Sequence, residues 1–246
     1  MIGTMVLHAD LHIHSCLSPC ADDEMTPYNL AHMAKIAGLD MIALTDHNSC
    51  LNCGAAMEAG LDAGITVVPG MELCTSEEVH IICLFPTLEK AEAFSDFVYE
   101  SLPDIKNRPE IFGEQLVMDA MDNVISACEK LLTAACAVSV SHAVATVGRF
   151  GGVCYPAHID RPSYSLLSNL GSITPEMGFK ATELSALANI NELKEKYPVL
   201  NEMHLVKSSD SHRLESIGEV FSQICLNRND SESLVYYFNK LFSKIS

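Results

Sequence analysis

The chain has 246 residues, 48% of them hydrophobic and 19% charged, enough for a full core in one large domain or two small ones and unlike a disordered tail. Lys and Arg number 15 against 32 Asp and Glu, a formal charge of −17, which disfavours a broad basic surface for nucleic acid, although bound metal ions can invert the sign locally. No stretch is apolar enough to span a bilayer, the segment from Met1 to His8 has no basic region or cleavable apolar core, and several of the ten cysteines sit in apolar runs; the expectation is a cytoplasmic protein with mostly reduced, buried thiols.

Apolar runs alternate with helical patterns along the chain. Residues 5–13 suggest a strand. Thr26-Pro27 opens a helix, with Thr26 as its cap, Leu30, Met33, Ala34 and Ala37 on one face, and Gly38 as its stop. Residues 41–44, 65–68 and 79–85 suggest strands, and residues 51–61 and 88–99 suggest helices, with a bend at Pro69-Gly70. This β-α-β-α-β order predicts a parallel sheet with covering helices. The stretch from Pro103 to about Ala137 starts rich in breakers and continues with helical patterns over residues 116–132, which predicts a helical insertion. Strands resume at 152–157, 179–184, 205–208 and 220–226. Leu234, Val235, Phe238, Leu241 and Phe242, at helical spacing, predict a terminal helix on the core.

Polar residues gather at the strand ends, where parallel α/β folds place their sites. His12 and His14, two apart in a strand, share one face and make a good pair for zinc, iron or manganese. Thr45-Asp46-His47 follows the second strand. Glu72 stands in an apolar setting after Pro69-Gly70, where a carboxylate needs a cation or several donors. His80 opens the fourth strand, His158 ends the fifth, and Asp210 and His212 repeat the spacing of two. Singly, each has an ordinary reading: a solvated strand face, a turn acceptor at Asp46, a satisfied histidine at His80. Together, six of the ten histidines and two carboxylates predict a multinuclear metal site.

Arg161, three residues after His158, offers a planar fork for a phosphate, and Arg149 is a second substrate candidate. His142 and Lys207 suit ordinary polar roles better, and His8, His32 and His204 structural or surface ones. Cys50-Leu51-Asn52-Cys53 is a CxxC at a helix start, but no second CxxC accompanies it and a redox role is not expected.

The motifs Asp10-Leu11-His12-Ile13-His14-Ser15, Leu44-Thr45-Asp46-His47-Asn48, Gly70-Met71-Glu72-Leu73, Glu78-Val79-His80, Pro156-Ala157-His158 and Ser209-Asp210-Ser211-His212 resemble the polymerase and histidinol phosphatase (PHP) domain family of metal-dependent phosphoesterases. The resemblance runs from about residue 5 to 226 and omits the middle segment. It implies an α/β fold, a distorted (β/α)7 TIM-like barrel with a small helical insertion, divided as barrel (1–102), insertion (103–140), and barrel with C-terminal helix (141–246). It also implies two or three divalent ions, zinc, iron or manganese. One would take His12, His14, Glu72 and Asp210. A second would share Glu72 and add His80 and His158. A third would take His47, His212 and a residue of the loop after His14, where Cys20 is the first choice and Asp22 or Asp23 the alternatives. Asp10 and Asp46 would orient ligating imidazoles. The implied activity is hydrolysis of a small phosphorylated metabolite or nucleotide by a metal-bridging hydroxide, with Glu72, Asp210 and Arg161 as the catalytic groups. A phosphodiesterase or exonuclease and a catalytically silent metal-binding module are the alternatives. Neither a membrane nor polymeric nucleic acid is an expected partner, and no oligomeric state is fixed.

Overall fold

The computed structural model describes residues 3–243, with side chains as far as Leu241; Met1, Ile2 and the side chain of Phe242 lie outside the described residues. The strands are β1 (Met5–Ile13), β2 (Met41–Leu44), β3 (Thr66–Cys74), β4 (His80–Leu84), β5 (Leu116–Met118), β6 (Val124–Ala127), β7 (Val153–Pro156), β8 (Ala181–Leu184), β9 (His204–Lys207) and β10 (Ser222–Leu226). The helices are α1 (Pro27–Ile36), α2 (Cys53–Ala63), α3 (Leu88–Ser101), α4 (Pro109–Phe112), α5 (Val140–Arg149), α6 (Leu166–Leu170), α7 (Ile190–Lys196) and α8 (Ser231–Ser243). Thr26 caps α1 as expected, its hydroxyl accepting from Asn29 N, with Pro27 in the first turn.

β1, β2 and β3 pair in parallel, β4 turns back antiparallel on β3, and β7 runs antiparallel to β4. The sheet order is β10-β1-β2-β3-β4-β7, with β8 and β9 as a separate parallel pair. Backbone bonds join that pair to the sheet on both sides. Ile159 N donates to the Glu183 carbonyl at 3.0 Å, His14 N to Ser211 O at 2.9 Å, and Ser211 N to His12 O at 3.3 Å. Seven strands thus curl around one axis, with β10 added on β1. The sheet is mixed rather than all parallel.

The barrel interior holds Leu7, Ala9, Leu11, Met41, Ala43, Val68, Ile82 and Tyr155, and Leu234, Val235 and Phe238 of α8 close its base. The alternate residues Ile13, Ile42, Leu44, Met71 and Ile81 pack outward with helix residues such as Leu30, Ala56 and Phe94. Every residue of β2 is buried because both faces are covered.

Two further expectations are corrected. Pro69-Gly70 does not end a strand; β3 runs through it. Its first half pairs with β2 and its second with β4, and Pro69, with no N–H to give, stands at the handover. Glycine fits there because a Cβ on Gly70 would lie 2.8 Å from the Cys83 carbonyl oxygen. The helix expected over residues 116–132 is instead the hairpin β5–β6, preceded by the four-residue α4. Asp119 Oδ1 accepts from Met121 N and Asn123 N, each at 2.9 Å, and so builds the turn. Asn52 then acts as a strand partner for β5, accepting from Met118 N and donating to Leu116 O, each at 3.0 Å. Eight of the ten cysteines are buried and all are free, with Cys20 and Cys225 exposed. No helix among the described residues is long and apolar enough to cross a membrane.

Candidate metal centre

The strand ends carry the predicted ligands to one mouth of the barrel. His12 and His14 finish and follow β1, and His47 follows β2. Glu72 lies in the second half of β3. His80 begins β4, but β4 is antiparallel and pairs His80 with Cys74, so its first residue lies at the same end. His158 follows β7, and Asp210 and His212 follow β9.

Glu72 is the hub. Its Oε1 lies 2.9 Å from His80 Nδ1, 3.2 Å from His158 Nε2 and 3.3 Å from His12 Nε2; its Oε2 lies 3.0 Å from His47 Nδ1 and 3.3 Å from His14 Nε2. Asp210 Oδ1 stands 3.1 Å from His12 Nε2 and 3.3 Å from His14 Nε2. Three groups of donor atoms lie within 4.8 Å of one another: His14, His47 and His212; His12, His14 and Asp210; His47, Glu72 and His80. These groups can hold divalent cations. His14 serves in two of them, and His158 reaches the centre through Glu72.

Tautomers support this arrangement. His12 Nδ1 faces Glu183 Oε1 at 3.0 Å and Oε2 at 3.2 Å; a carboxylate only accepts, so Nδ1 carries the proton. Ser18 Oγ donates to Asp46 Oδ1 at 2.6 Å, which leaves it to accept from His14 Nδ1 at 3.0 Å. His212 Nδ1 donates to the Asp210 carbonyl at 2.9 Å. Each of these rings therefore turns a bare Nε2 lone pair inward. The Nε2 atoms of His12 and His14 are only 3.1 Å apart, a contact that repels unless a cation or proton lies nearby. His158 Nδ1 is buried without a hydrogen-bond partner, and His47 Nδ1 and Asp210 Oδ1 meet their neighbours across the cluster only as charge contacts, without hydrogen-bond geometry. Bare imidazoles, carboxylates and orphaned buried atoms fit a divalent metal.

Without an ion, protons replace it. Burial works against a charge on His12, but Asp210, Glu183 and Glu72 overcome it and hold the ring well above its ordinary pKa. Burial likewise opposes a charge on His14 and His47, and carboxylate contacts reverse it to about 9 in each. Glu72 stays well below the ordinary range, since His80, His12 and His47 outweigh its burial. Burial dominates at His80, which is lowered, and at His212, which falls to about 3.

The supporting residues divide in two. Asp46 accepts from Ser15 N at 2.7 Å and from Ser15 Oγ and Ser18 Oγ at 2.6 Å, so it steadies His14 through Ser18. Asp10 accepts from Ser209 N at 2.9 Å and Gly218 N at 3.2 Å, fixing the loop that presents Asp210; burial raises its pKa to about 6. Arg161 Nη1 sits on Asp210 Oδ2 at 2.5 Å, leaving Oδ1 to face the histidines. Cys20 is exposed; its thiol contacts the His47 side chain but lies outside the three ligating groups. Asp22 pairs with Arg213 at 3.6 Å, and Asp22 and Asp23 are both exposed. Arg149, at the end of α5, bonds Thr146 Oγ1 at 3.4 Å and does not line the central cavity.

Three residues escaped the sequence reading. Glu183, buried in β8, fixes His12 and also accepts from His158 N at 3.2 Å; a lone acid inside an apolar strand was its signal. Ser18 has no signal of its own. Tyr164 stacks on His80 with ring centroids 4.8 Å apart, and its carbonyl accepts from His80 N at 2.9 Å. His158, Tyr164 and Asp210 have positive φ of 24°, 51° and 53°, so backbone strain gathers at this mouth.

Fold and site together define an α/β barrel protein with a candidate multinuclear divalent-metal centre. Residues 10–125 match the PHP domain. A 5'-3' exoribonuclease of Haemophilus influenzae is 35% identical over 78 residues, which cover 30% of this chain and 27% of that protein. In structure, the chain is similar to the lesion-specific endonuclease PfuEndoQ from Pyrococcus furiosus, with a TM-score of 0.72 and 18% identity over 96% of this chain and 56% of that one. It is also similar to an amidohydrolase from Chromobacterium violaceum with bound sulfate, with a TM-score of 0.58 and 19% identity over 86% of this chain and 90% of that one. The chain thus spans about a quarter of the exoribonuclease and little more than half of the endonuclease.

Proposed function

We propose that this chain is a metal-dependent phosphoesterase that hydrolyses a small phosphomonoester, nucleotides included. The observation that carries it is the Glu72 carboxylate within 3.3 Å of five imidazole nitrogens, four of whose rings, with His212, form the ligating groups with Asp210 and Glu72. His12, His14, Glu72 and Asp210 would hold one ion, Glu72 with His80 and His158 a second, and His47 with His212 a third, completed by His14 or Cys20. When bound, two or three divalent ions, zinc, iron or manganese, would activate water at neutral pH and neutralise phosphoryl charge.

The chain's own residues do the rest. Glu183 and Ser18 keep His12 and His14 in the tautomer that offers Nε2. Arg161 lines the central cavity beside Asp210, and its remaining N–H groups would orient a phosphate. Tyr164 and Ser163 wall the same cavity and would limit water entry. Arg161 is the only Lys or Arg on that wall among the described residues, which with the charge of −17 favours a small substrate over a polymer.

The test is to purify the protein gently, count its metals and assay it on nucleoside monophosphates, sugar phosphates and single-stranded oligonucleotides. We expect at least two metal equivalents per chain and turnover of monoesters. Turnover of oligonucleotides alone would favour the phosphodiesterase reading of the nuclease relatives. Metal without any turnover would favour a binding module.

A further inference from the structure

A second cavity, of about 420 Å³, adjoins the central one between the chain segments that follow β7, β8 and β9. The central cavity is about 110 Å³, room for a phosphoryl group and little more. The second falls within the range of small-molecule sites, about 300–1,000 Å³. His158, Arg161 and Asp210 line both, so a phosphoester held at the metal centre can extend its organic part past Arg161 into the second cavity.

The walls of this second cavity are acceptors and hydroxyls. Asp160 accepts from Ser185 N at 2.8 Å and Ser185 Oγ at 2.5 Å, and a carboxylate of about four lone-pair sites has capacity left over. Ser208 is buried and its hydroxyl has no hydrogen-bond partner, a costly state that a ligand hydroxyl would relieve. Ser209 adds a hydroxyl, and Leu187 an apolar surface at the rim. Arg161 is the only Lys or Arg on the wall among the described residues. A second phosphate or carboxylate would meet Asp160 with only Arg161, already paired with Asp210, to offset it. Hydroxyls with C–H faces between them meet complementary groups.

We propose that this cavity receives the leaving alcohol of the phosphoester, and that this alcohol is a neutral polyhydroxy group, a free sugar or the ribose of a nucleoside. The inference rests on the phosphoesterase reading. In hydrolysis, the oxygen of water bonds to phosphorus as the bond from phosphorus to the alcohol oxygen breaks. That oxygen takes a proton given up by the attacking water, and the neutral alcohol is left against Asp160 and Ser208.

The test uses Ala186→Trp, an exposed position on the cavity wall that contributes nothing to the metal centre, with Ser208→Val as a second variant. Metal-loaded protein is assayed on ribose 5-phosphate, AMP and fructose 1,6-bisphosphate, with ribose and inorganic phosphate as product inhibitors. We expect the wild type to prefer the first two over the bisphosphate. Ala186→Trp should raise KM for ribose 5-phosphate or AMP about tenfold or more and weaken inhibition by ribose, while inhibition by inorganic phosphate stays within about twofold. An unchanged KM in both variants, or equal turnover of the bisphosphate, overturns the inference and leaves the phosphoesterase reading intact. A wild type that hydrolyses no phosphoester overturns that reading, and the inference with it.

Discussion

Glu183→Gln is the most revealing single change, because it alters one charge and almost no volume. In the native chain Glu183 Oε1 receives both His12 Nδ1 at 3.0 Å and His158 N at 3.2 Å, while Oε2 lies 3.2 Å from His12 Nδ1. A glutamine can keep its carbonyl oxygen at the first position, but its amide then faces the His12 N–H. The ring relieves that clash by moving its proton to Nε2, the nitrogen that faces Asp210 and Glu72, and so loses its lone pair as a ligand. Loss of such a supporting carboxylate costs about 10- to 100-fold in metal affinity, or about 1.4 to 2.7 kcal/mol of metal-linked stability. For a chain of this size that removes about 3 to 11 °C from the Tm gained on adding metal. The assay is thermal unfolding with chelator and with excess zinc or manganese, alongside competition against a chromophoric chelator. The chelator-treated Tm values of variant and wild type should differ less than the metal-loaded ones. An unchanged affinity and an unchanged metal-induced Tm gain would refute the tautomer argument.

Other outcomes follow from the same geometry. Glu72→Gln should abolish measurable turnover and lower metal content, whereas Arg161→Ala should act chiefly by raising KM; steady-state kinetics and metal analysis distinguish them, and equal large losses in kcat would contradict this division. In chelator-treated protein, His14 and His47 rise from 6.5 to about 9 on folding, so the stability they contribute is fully present below pH 6.5 and lost as pH rises through 9. Urea midpoints of metal-free protein should therefore fall over that interval, while metal affinity rises as fewer protons must be displaced; a metal-free midpoint that climbs there would contradict the assignment. Gly70→Ala would place a Cβ 2.8 Å from Cys83 O and 3.0 Å from Thr45 Cγ2. It should cost about 1–3 kcal/mol, read as a lower Tm with metal stoichiometry unchanged in the folded fraction.

The sequence by itself determined most of the strand positions and which acids and imidazoles gather at one mouth. β1 and β2 fall on the expected residues, β7, β8 and β10 lie within theirs, and β9 starts one residue before its expected range. A strand has a period of two, so His12 and His14 had to share a face, and acids and imidazoles at successive strand ends of an α/β chain had to meet at one mouth. Tertiary structure alone decided three things. The antiparallel turn of β4 brings His80 to the ligand end, because direction follows from pairing with β3 and not from local pattern. Residues 116–127 became a hairpin because the side chain of Asn52, 64 residues from Leu116, satisfies backbone groups that a helix would have bonded internally; short apolar runs fit either state. Glu183 reaches His12 across 171 residues of chain because the bonds closing the ring bring β8 beside β7 and β9 beside β1. Local composition records which groups a chain can offer; the closure of the barrel chooses which of them touch.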